Sequence, residues 1–360
     1  MKIAQLAPLY ESVPPKLYGG TERVVATVTE TLIQNGHEVT LFASGDSKTR
    51  ANLVPVCPEA LRLSKIKDPY ADHMLQLAMA YDRAAEFDII HSHIDYFTFP
   101  FAARSPTPTV TTLHGRLDMP ELQGIHRYFR EHPLVSISDS QRTPIPFANF
   151  VGTVYHGLPL EQFRFYSQPG KYLAFLGRIS PEKRPDMAIA IAQKAGIPLK
   201  IAAKVSDTDR SYFETVVKPL LDPPFIEFIG EINDKERNIF LGESLALLFP
   251  IDWPEPFGLA MIESLACGAP VVARPCGSVP EILVQGKTGY IYSQMDQLVR
   301  AVQNISQISR GDCRKHIEDH FSAETMTNGY EQIYKKIMAA RQAPSSADQL
   351  AGRRLRKGSG

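Results

Sequence analysis

Short apolar runs alternate along this chain with stretches whose apolar residues recur every three to four positions. Residues 3–7, 39–43, 87–91, 109–113, 134–137 and 150–155 read as strands, as do 171–176, 199–203, 225–229, 245–249 and 271–273. Helical spacing falls between them. In 21–34 the apolar positions are 24, 25, 28, 32 and 33, and Asn35-Gly36 ends the run. Further helices are expected over 69–85, 186–195, 209–218 and 257–267, and after Gly277 over most of the chain to about Ala340. Strand–helix alternation of this kind predicts an α/β protein with parallel sheets. A chain of 360 residues suffices for two domains, and the composition loosens at 159–170 as a linker does.

The chemistry concentrates in residues 249–273, Phe-Pro-Ile-Asp-Trp-Pro-Glu-Pro-Phe-Gly-Leu-Ala-Met-Ile-Glu-Ser-Leu-Ala-Cys-Gly-Ala-Pro-Val-Val-Ala. This is a strand, a loop, a helix and the next strand. Pro256 pushes Glu255 out of helical angles and Pro254 is itself stiff, so the carboxylate sits on a rigid arm at a strand end. Gly258 opens the helix, where free N–H groups and the dipole favour an anion and a missing Cβ lets it approach. Leu259, Ile262, Leu265 and Ala266 form the apolar stripe, with Glu263 on its flank, half-buried and in need of a polar partner. Two glutamates eight residues apart thus bracket a phosphate-like site, an arrangement suited to a nucleotide sugar. Singly, Glu255 also reads as a solvated loop acid and Glu263 as a charge complementing the helix dipole.

Other candidates sit at strand ends, where open α/β sheets place their sites. The pair Gly19-Gly20 precedes the first helix, as a plain turn or as a close approach to a ligand. His91-Ser92-His93-Ile94-Asp95 follows one strand, but no third or fourth ligand accompanies the histidines, so no metal is expected. His114-Gly115 follows another strand, and His114 is a site residue or a satisfied polar histidine. The loop 177–185, Gly-Arg-Ile-Ser-Pro-Glu-Lys-Arg-Pro, carries three cations in seven residues and is pinned by two prolines, either an exposed basic loop or a clamp on a diphosphate. Asp207-Thr208-Asp209 matches a metal-binding DxD pattern but opens a helix, where aspartates act as caps and dipole partners. GxGxxG is absent, which weakens an NAD-dependent reading, and Gly286-Lys287-Thr288 fails as a P-loop because Glu281 stands where glycine is needed.

With these residues in view, the chain resembles the retaining glycosyltransferases of the GT-B fold, in the large fourth family (group 1 type). The resemblance covers nearly the whole chain, with its most specific motifs in the second half. It implies two Rossmann-like domains facing across a cleft. Residues 1–160 would be the acceptor-side domain and 161–320 the nucleotide-sugar donor domain, with 321–340 packing back onto the first and 343–360 a disordered tail. It implies transfer of a hexose, UDP-glucose being the first expectation, to an acceptor hydroxyl with retention and without metal or cofactor. Carried over residue by residue, it assigns donor-sugar hydroxyls to Glu255, ribose to Glu263 and diphosphate to Arg178, Lys183 and the backbone of Phe257, Gly258 and Leu259. His114 would contact the donor sugar, commonly its 6-hydroxyl, and would share the catalytic role with Glu255. Gly19 and Gly20 would lie against the donor, Ile232 would touch the base, and His93 and Asp118 would lie on the acceptor side. Relatives often have Asn-Gly where this chain has His156-Gly157. The acceptor is expected to be a small molecule, a polysaccharide or a lipid. A GT-B nucleotide-sugar epimerase and a non-catalytic nucleotide-sugar binding protein are the alternatives.

Composition narrows the setting. Lys+Arg and Asp+Glu are both 39, which gives no case for nucleic acid. Cys57, Cys267, Cys276 and Cys313 are scattered, as reduced thiols in a cytoplasmic protein are. The N-terminus does not read as a signal peptide, and no apolar run is long enough to span a membrane. The basic end of the tail allows peripheral contact with the inner membrane face, though a solvated tail is the simpler expectation.

Overall fold

The computed structural model describes residues 1–16, 19–64 and 66–342; the tail at 343–360, expected to be disordered, lies outside them. Among the described residues there are two sheets, both wholly parallel. The first contains β1 (Lys2–Leu6), β2 (Glu38–Ala43), β3 (Asn52–Pro55), β4 (Ile89–Ser92), β5 (Thr109–Thr112), β6 (Leu134–Ser136) and β7 (Phe150–Thr153), in the order β3-β2-β1-β4-β5-β6-β7. The second contains β8 (Tyr172–Arg178), β9 (Leu199–Lys204), β10 (Ile226–Gly230), β11 (Ser244–Phe249), β12 (Val271–Ala273) and β13 (Gly289–Ile291), in the order β10-β9-β8-β11-β12-β13. Each order reverses beside its first strand. Helices leave to opposite faces there and open a crevice at the strand C-terminal ends.

The strands are apolar because helices cover both faces of each sheet. All of β4 is buried, as is β11 except for Leu245. The helix Gly20–Gln34 buries Val24, Val25, Val28 and Leu32 on one face. The last helix, Ala323–Gln342, brings Met326, Tyr330, Ile333, Tyr334 and Ile337 against Ile3, Val24 and Val28. Those five residues form one helical stripe, and each such side chain contributes about 1.5–3 kcal/mol by leaving water. The helix therefore covers the first sheet although the chain before it builds the second. The two crossings lie side by side: Leu158 N donates to Phe321 O at 2.8 Å and Ala323 N donates to Leu158 O at 2.9 Å.

Three details differ from the sequence reading. Strands β3 and β13 were not anticipated; both are short edge strands, one ending in Pro55 and one starting at Gly289. The helix expected over 209–218 is broken into short pieces, with a wide turn over Phe213–Val217 just ahead of Pro219, which has no N–H for a regular helical bond. Asp207 and Asp209 are not caps: no side-chain cap bond forms there, Asp207 pairs with Arg210 at 3.0 Å, and Asp209 turns to Arg178 at 3.4 Å.

Candidate active site

From Phe249 the chain turns through Asp252-Trp253-Pro254 to Glu255. Glu255 N donates to Trp253 O at 2.8 Å, and Ser278 N donates to Glu255 O at 3.0 Å. A Cβ on Gly277, which has φ +59, would stand 2.3 Å from both N and O of Glu255, so glycine is required where the two segments cross. Ser278 Oγ donates to Phe257 O at 2.7 Å. Gly258, with φ +85, starts the helix Leu259–Ala266, and a Cβ there would press on Met261 at 2.8 Å and Phe249 at 3.0 Å. The loop is thus held from both sides, and the arm predicted from its prolines is stiff for more reasons than its prolines.

That arm carries Glu255 inward. The residue is 8% exposed, which rules out a solvated loop acid. Its Oε2 pairs with Lys183 Nζ and accepts from Trp253 Nε1 at 3.0 Å. The Lys183 ammonium also stands over the Trp253 and Phe249 rings, 5.2 and 5.7 Å from their centroids. Arg178, at the end of β8, is held by Glu182 at 2.7 Å and Asp209 at 3.4 Å. The third cation of that loop points elsewhere: Arg184 pairs with Asp186 at 2.9 Å and Asp252 at 3.1 Å. Glu263 is more buried than half, at 4% exposed, and its polar partner is Arg237 at 3.3 Å. Arg237 also pairs with Asp234 at 3.0 Å, and Asp234 with Arg23 of the opening helix at 2.7 Å.

The first sheet supplies the facing wall. His114 Nε2 lies 2.8 Å from His93 Nδ1, and His156 stacks on the His114 ring at 5.3 Å with planes 17° apart. His156 also meets Phe257 at 4.7 Å. Burial holds the His114 imidazole down at about 3, so it is neutral at pH 7. Asp95, in the left-handed region at φ 50, is pushed up to about 6 by burial, against the opposing effect of the His114 backbone N–H.

These walls enclose a cleft of about 540 Å³. Every residue that the resemblance assigned to the site lines it except Asp118, including Gly19, Gly20, His93, Ile232 and Leu259. Asp118 instead accepts two bonds from Arg116 at 2.7 Å outside the cleft. Gly20 faces the second sheet, where a Cβ would meet Leu259 at 3.4 Å. Sequence reasoning missed Arg237 and Glu22. The signal for Arg237 was present: Asn233 and Glu236 form a capping box, which starts the helix Asp234–Gly242 and puts Arg237 one turn in. Glu22 gave no signal, since a first-turn glutamate is ordinarily a solvated dipole partner; here it is buried in the cleft wall and burial raises it to about 7. Among the described residues no group of three or more His, Cys, Asp and Glu is placed to hold a metal ion.

Two family models match the chain, glycosyl transferases group 1 over residues 162–319 and glycosyltransferase family 4 over residues 18–143. The chain belongs to the group 1 glycosyl transferases. Its two facing sheets are the GT-B fold of that family. A D-inositol 3-phosphate glycosyltransferase from Mycolicibacterium smegmatis is 23% identical over 337 residues, covering 77% of this chain and 76% of that protein. A 41.2 kDa protein of the Klebsiella pneumoniae cps region is 26% identical over 169 residues, 45% of this chain and 46% of that protein. The crystal structure of Anabaena Alr3699/HepE in complex with UDP and glucose superposes with a TM-score of 0.72 at 17% identity, covering 93% of this chain and all of that one. The chain is thus a glycosyltransferase, and its cleft carries both glutamates and both cations on its walls. No helix among the described residues is long and apolar enough to cross a membrane.

Proposed function

We propose that this glycosyltransferase moves a hexose from a UDP-sugar, UDP-glucose first, to an acceptor hydroxyl with retention of anomeric configuration and without a bound metal. The observation that carries the reading is the convergence in one cleft of Glu255, Glu263, Lys183, Arg178 and the helix start at Gly258. Two carboxylates accept hydroxyls and two cations take a diphosphate, with Arg as a fork and Lys as a point charge. The complexes of Alr3699/HepE with UDP and glucose support the same ligand class. Glu255 holds the sugar hydroxyls, Glu263 the ribose, Ile232 the base side, and Gly19 and Gly20 close over the donor. Donor binding exchanges the Lys183–Glu255 ion pair for one new ion pair and a set of hydrogen bonds: Lys183 turns to phosphate and Glu255 to hydroxyls.

In the reaction the bond from the anomeric carbon to the phosphate oxygen breaks, and the acceptor oxygen forms a bond on the same face. The acceptor proton passes to the leaving phosphate. Arg178, Lys183 and the N–H groups at Gly258 and Leu259 stabilise the charge that develops on the diphosphate, a preorganised electrostatic contribution. Glu255 and His114 orient the sugar. The acceptor, a small molecule, polysaccharide or lipid, enters from the first sheet, on the His93 side.

Isothermal calorimetry with UDP, GDP and NAD in EDTA tests this. UDP binding without metal is the expected result. GDP alone would move the donor to a GDP-sugar, NAD would replace the reading, and no nucleotide binding would undo it. Sugar products formed from UDP-glucose with no acceptor present would point to an epimerase.

A further inference from the structure

Three histidines run in line from the cleft wall into the first sheet, and the function above gives only the outermost, His114, a contact with the donor. His91 lies in β4 beside Gln5 of β1, with which it is in register. His93 follows two residues later with its ring 4.0 Å from that of His91, and His114 follows β5. His91 Nε2 is 2.8 Å from Thr112 Oγ1, and His91 Nδ1 is 2.6 Å from the Tyr334 hydroxyl. His93 Nε2 is 2.9 Å from Gln5 Oε1, and His93 Nδ1 is 2.8 Å from His114 Nε2.

A neutral imidazole has one donor nitrogen and one acceptor nitrogen. Between His93 Nδ1 and His114 Nε2 one must donate and one accept, and Gln5 decides which. Its Oε1 faces His93, while its Nε2 lies 3.4 Å from both the Tyr334 hydroxyl and His91 Nδ1. A carbonyl oxygen can only accept, so His93 Nε2 carries the proton and His93 Nδ1 is bare. His114 Nε2 must then donate, which leaves His114 Nδ1 as a lone pair. The same chain gives His91 a bare Nδ1 that accepts from Tyr334 and an Nε2–H that donates to Thr112. All three rings thus take the Nε2–H tautomer, the one a free histidine side chain favours. Turning the Gln5 amide around would force the other tautomer on His93 and His114 and would move the His91 proton to Nδ1, so the amide and the three rings are set together.

We propose that Gln5 and His93 are positioning residues that fix His114 as the Nε2–H imidazole, so that it meets the sugar with a bare Nδ1 acceptor. His114 lines the cleft, and its Nδ1 has no hydrogen-bond partner among the described residues. The stacked His156 ring holds the imidazole plane. Burial keeps His91 and His93 neutral as well, since a charge on either would be wholly buried. Specificity follows, and this step rests on the UDP-hexose reading above. A bare nitrogen takes a hydroxyl that donates, and it opposes a fluorine, an ether oxygen or a carboxylate at the same place. The site therefore takes a sugar with a free hydroxymethyl group and discriminates against its uronate.

The test is a long-range proton–nitrogen NMR correlation on full-length protein labelled with ¹⁵N-histidine, the His114 signals being identified by their loss in His114→Gln. A protonated Nε2 and an unprotonated Nδ1 at pH 7 are expected; a proton on Nδ1, or on both, overturns the proposal. His93→Leu should let His114 exchange between tautomers, lowering UDP release from UDP-glucose about tenfold while UDP affinity stays at the wild-type value. His93→Asn, whose amide oxygen can accept in place of Nδ1, should restore most of that turnover. Wild type should also use 6-deoxy-6-fluoro-UDP-glucose and UDP-glucuronate poorly, and His93→Leu should narrow the gap to the fluoro analogue. Unchanged turnover in His93→Leu, or an unchanged gap, overturns the relay. UDP affinity in each variant reports that it has folded. If wild type binds no UDP, the donor assignment fails while the NMR result still decides the tautomer.

Discussion

Removing the guanidinium of Arg237 should destabilise the second sheet's half of the molecule by about 3 kcal/mol. Glu263 and Arg237 have side chains 5% and 12% exposed and lie 3.3 Å apart. In Arg237→Met the apolar stem is kept and the charge is lost, so Glu263 remains as a buried carboxylate without its cation. Breaking a buried pair in this way costs about 3–5 kcal/mol, and the pair opens on a cleft, which places it at the low end. For a unit of about 150–250 residues, 1 kcal/mol moves Tm by about 2–4 °C, so a drop of about 6–12 °C is expected in thermal unfolding followed by circular dichroism. The double variant Arg237→Met/Glu263→Gln should recover most of that loss, because the neutral amide no longer needs a cation. Glu263→Gln alone should cost little, since Arg237 keeps Asp234 at 3.0 Å. A Tm for Arg237→Met within about 2 °C of wild type, or a double variant no better than the single, would refute the reasoning.

Three further outcomes are expected. Glu255→Ala removes an acceptor of charge-assisted hydrogen bonds, about 1.5–3 kcal/mol, and should lower UDP release from saturating UDP-glucose by roughly tenfold to a hundredfold; near wild-type turnover would take Glu255 out of the site. Arg178→Ala should weaken UDP binding in calorimetry by about tenfold, and unchanged affinity would count against the clamp. Burial raises Glu22 from 4.5 to about 7, so the stability linked to its protonated form is full below pH 4.5 and is lost as pH rises through 7. Glu22→Gln should therefore flatten Tm against pH over that window and leave the variant more stable above it by about 2–3 kcal/mol, whereas parallel curves for the two proteins would contradict the shift.

The strands and the donor motif were legible because they are local. The run to Phe249, the prolines around Glu255 and the turn at Gly258 each dictate backbone within a few residues, and backbone is what aims Glu255. What was not legible depends on groups brought from afar. Glu263 was read as needing a partner, but Arg237 comes from a different helix, and only the packing of Asp234–Gly242 against Leu259–Ala266 brings them together. Glu22 sits in a first helical turn where sequence favours a solvated acid, yet it is buried beside Glu11 and Arg62, which other segments of the chain bring to it. Asp118 shows the opposite failure. Its place after His114-Gly115 suggested the site, yet Arg116 two residues away takes both its oxygens. The departure at His156 was visible as a letter but not as a function, because its stacking on His114 and Phe257 joins residues far apart in the chain.

The contacts that hold the two halves together bear on the same groups. From the opening helix, Arg23 reaches Asp234, Asp234 reaches Arg237, and Arg237 reaches Glu263 in the donor half of the cleft. The strength of this chain is uneven. Asp234 is 49% exposed, so its bond to Arg23 is worth at most about 1 kcal/mol and is screened by salt. The Arg237–Glu263 end is buried and far more costly to break. On the opposite side, Glu281 accepts from the backbone N–H groups of Asp139 and Ser140 at 2.7 and 2.8 Å and from the Tyr155 hydroxyl at 3.0 Å. Those bonds go to a helix start, where a carboxylate also meets the favourable end of the dipole.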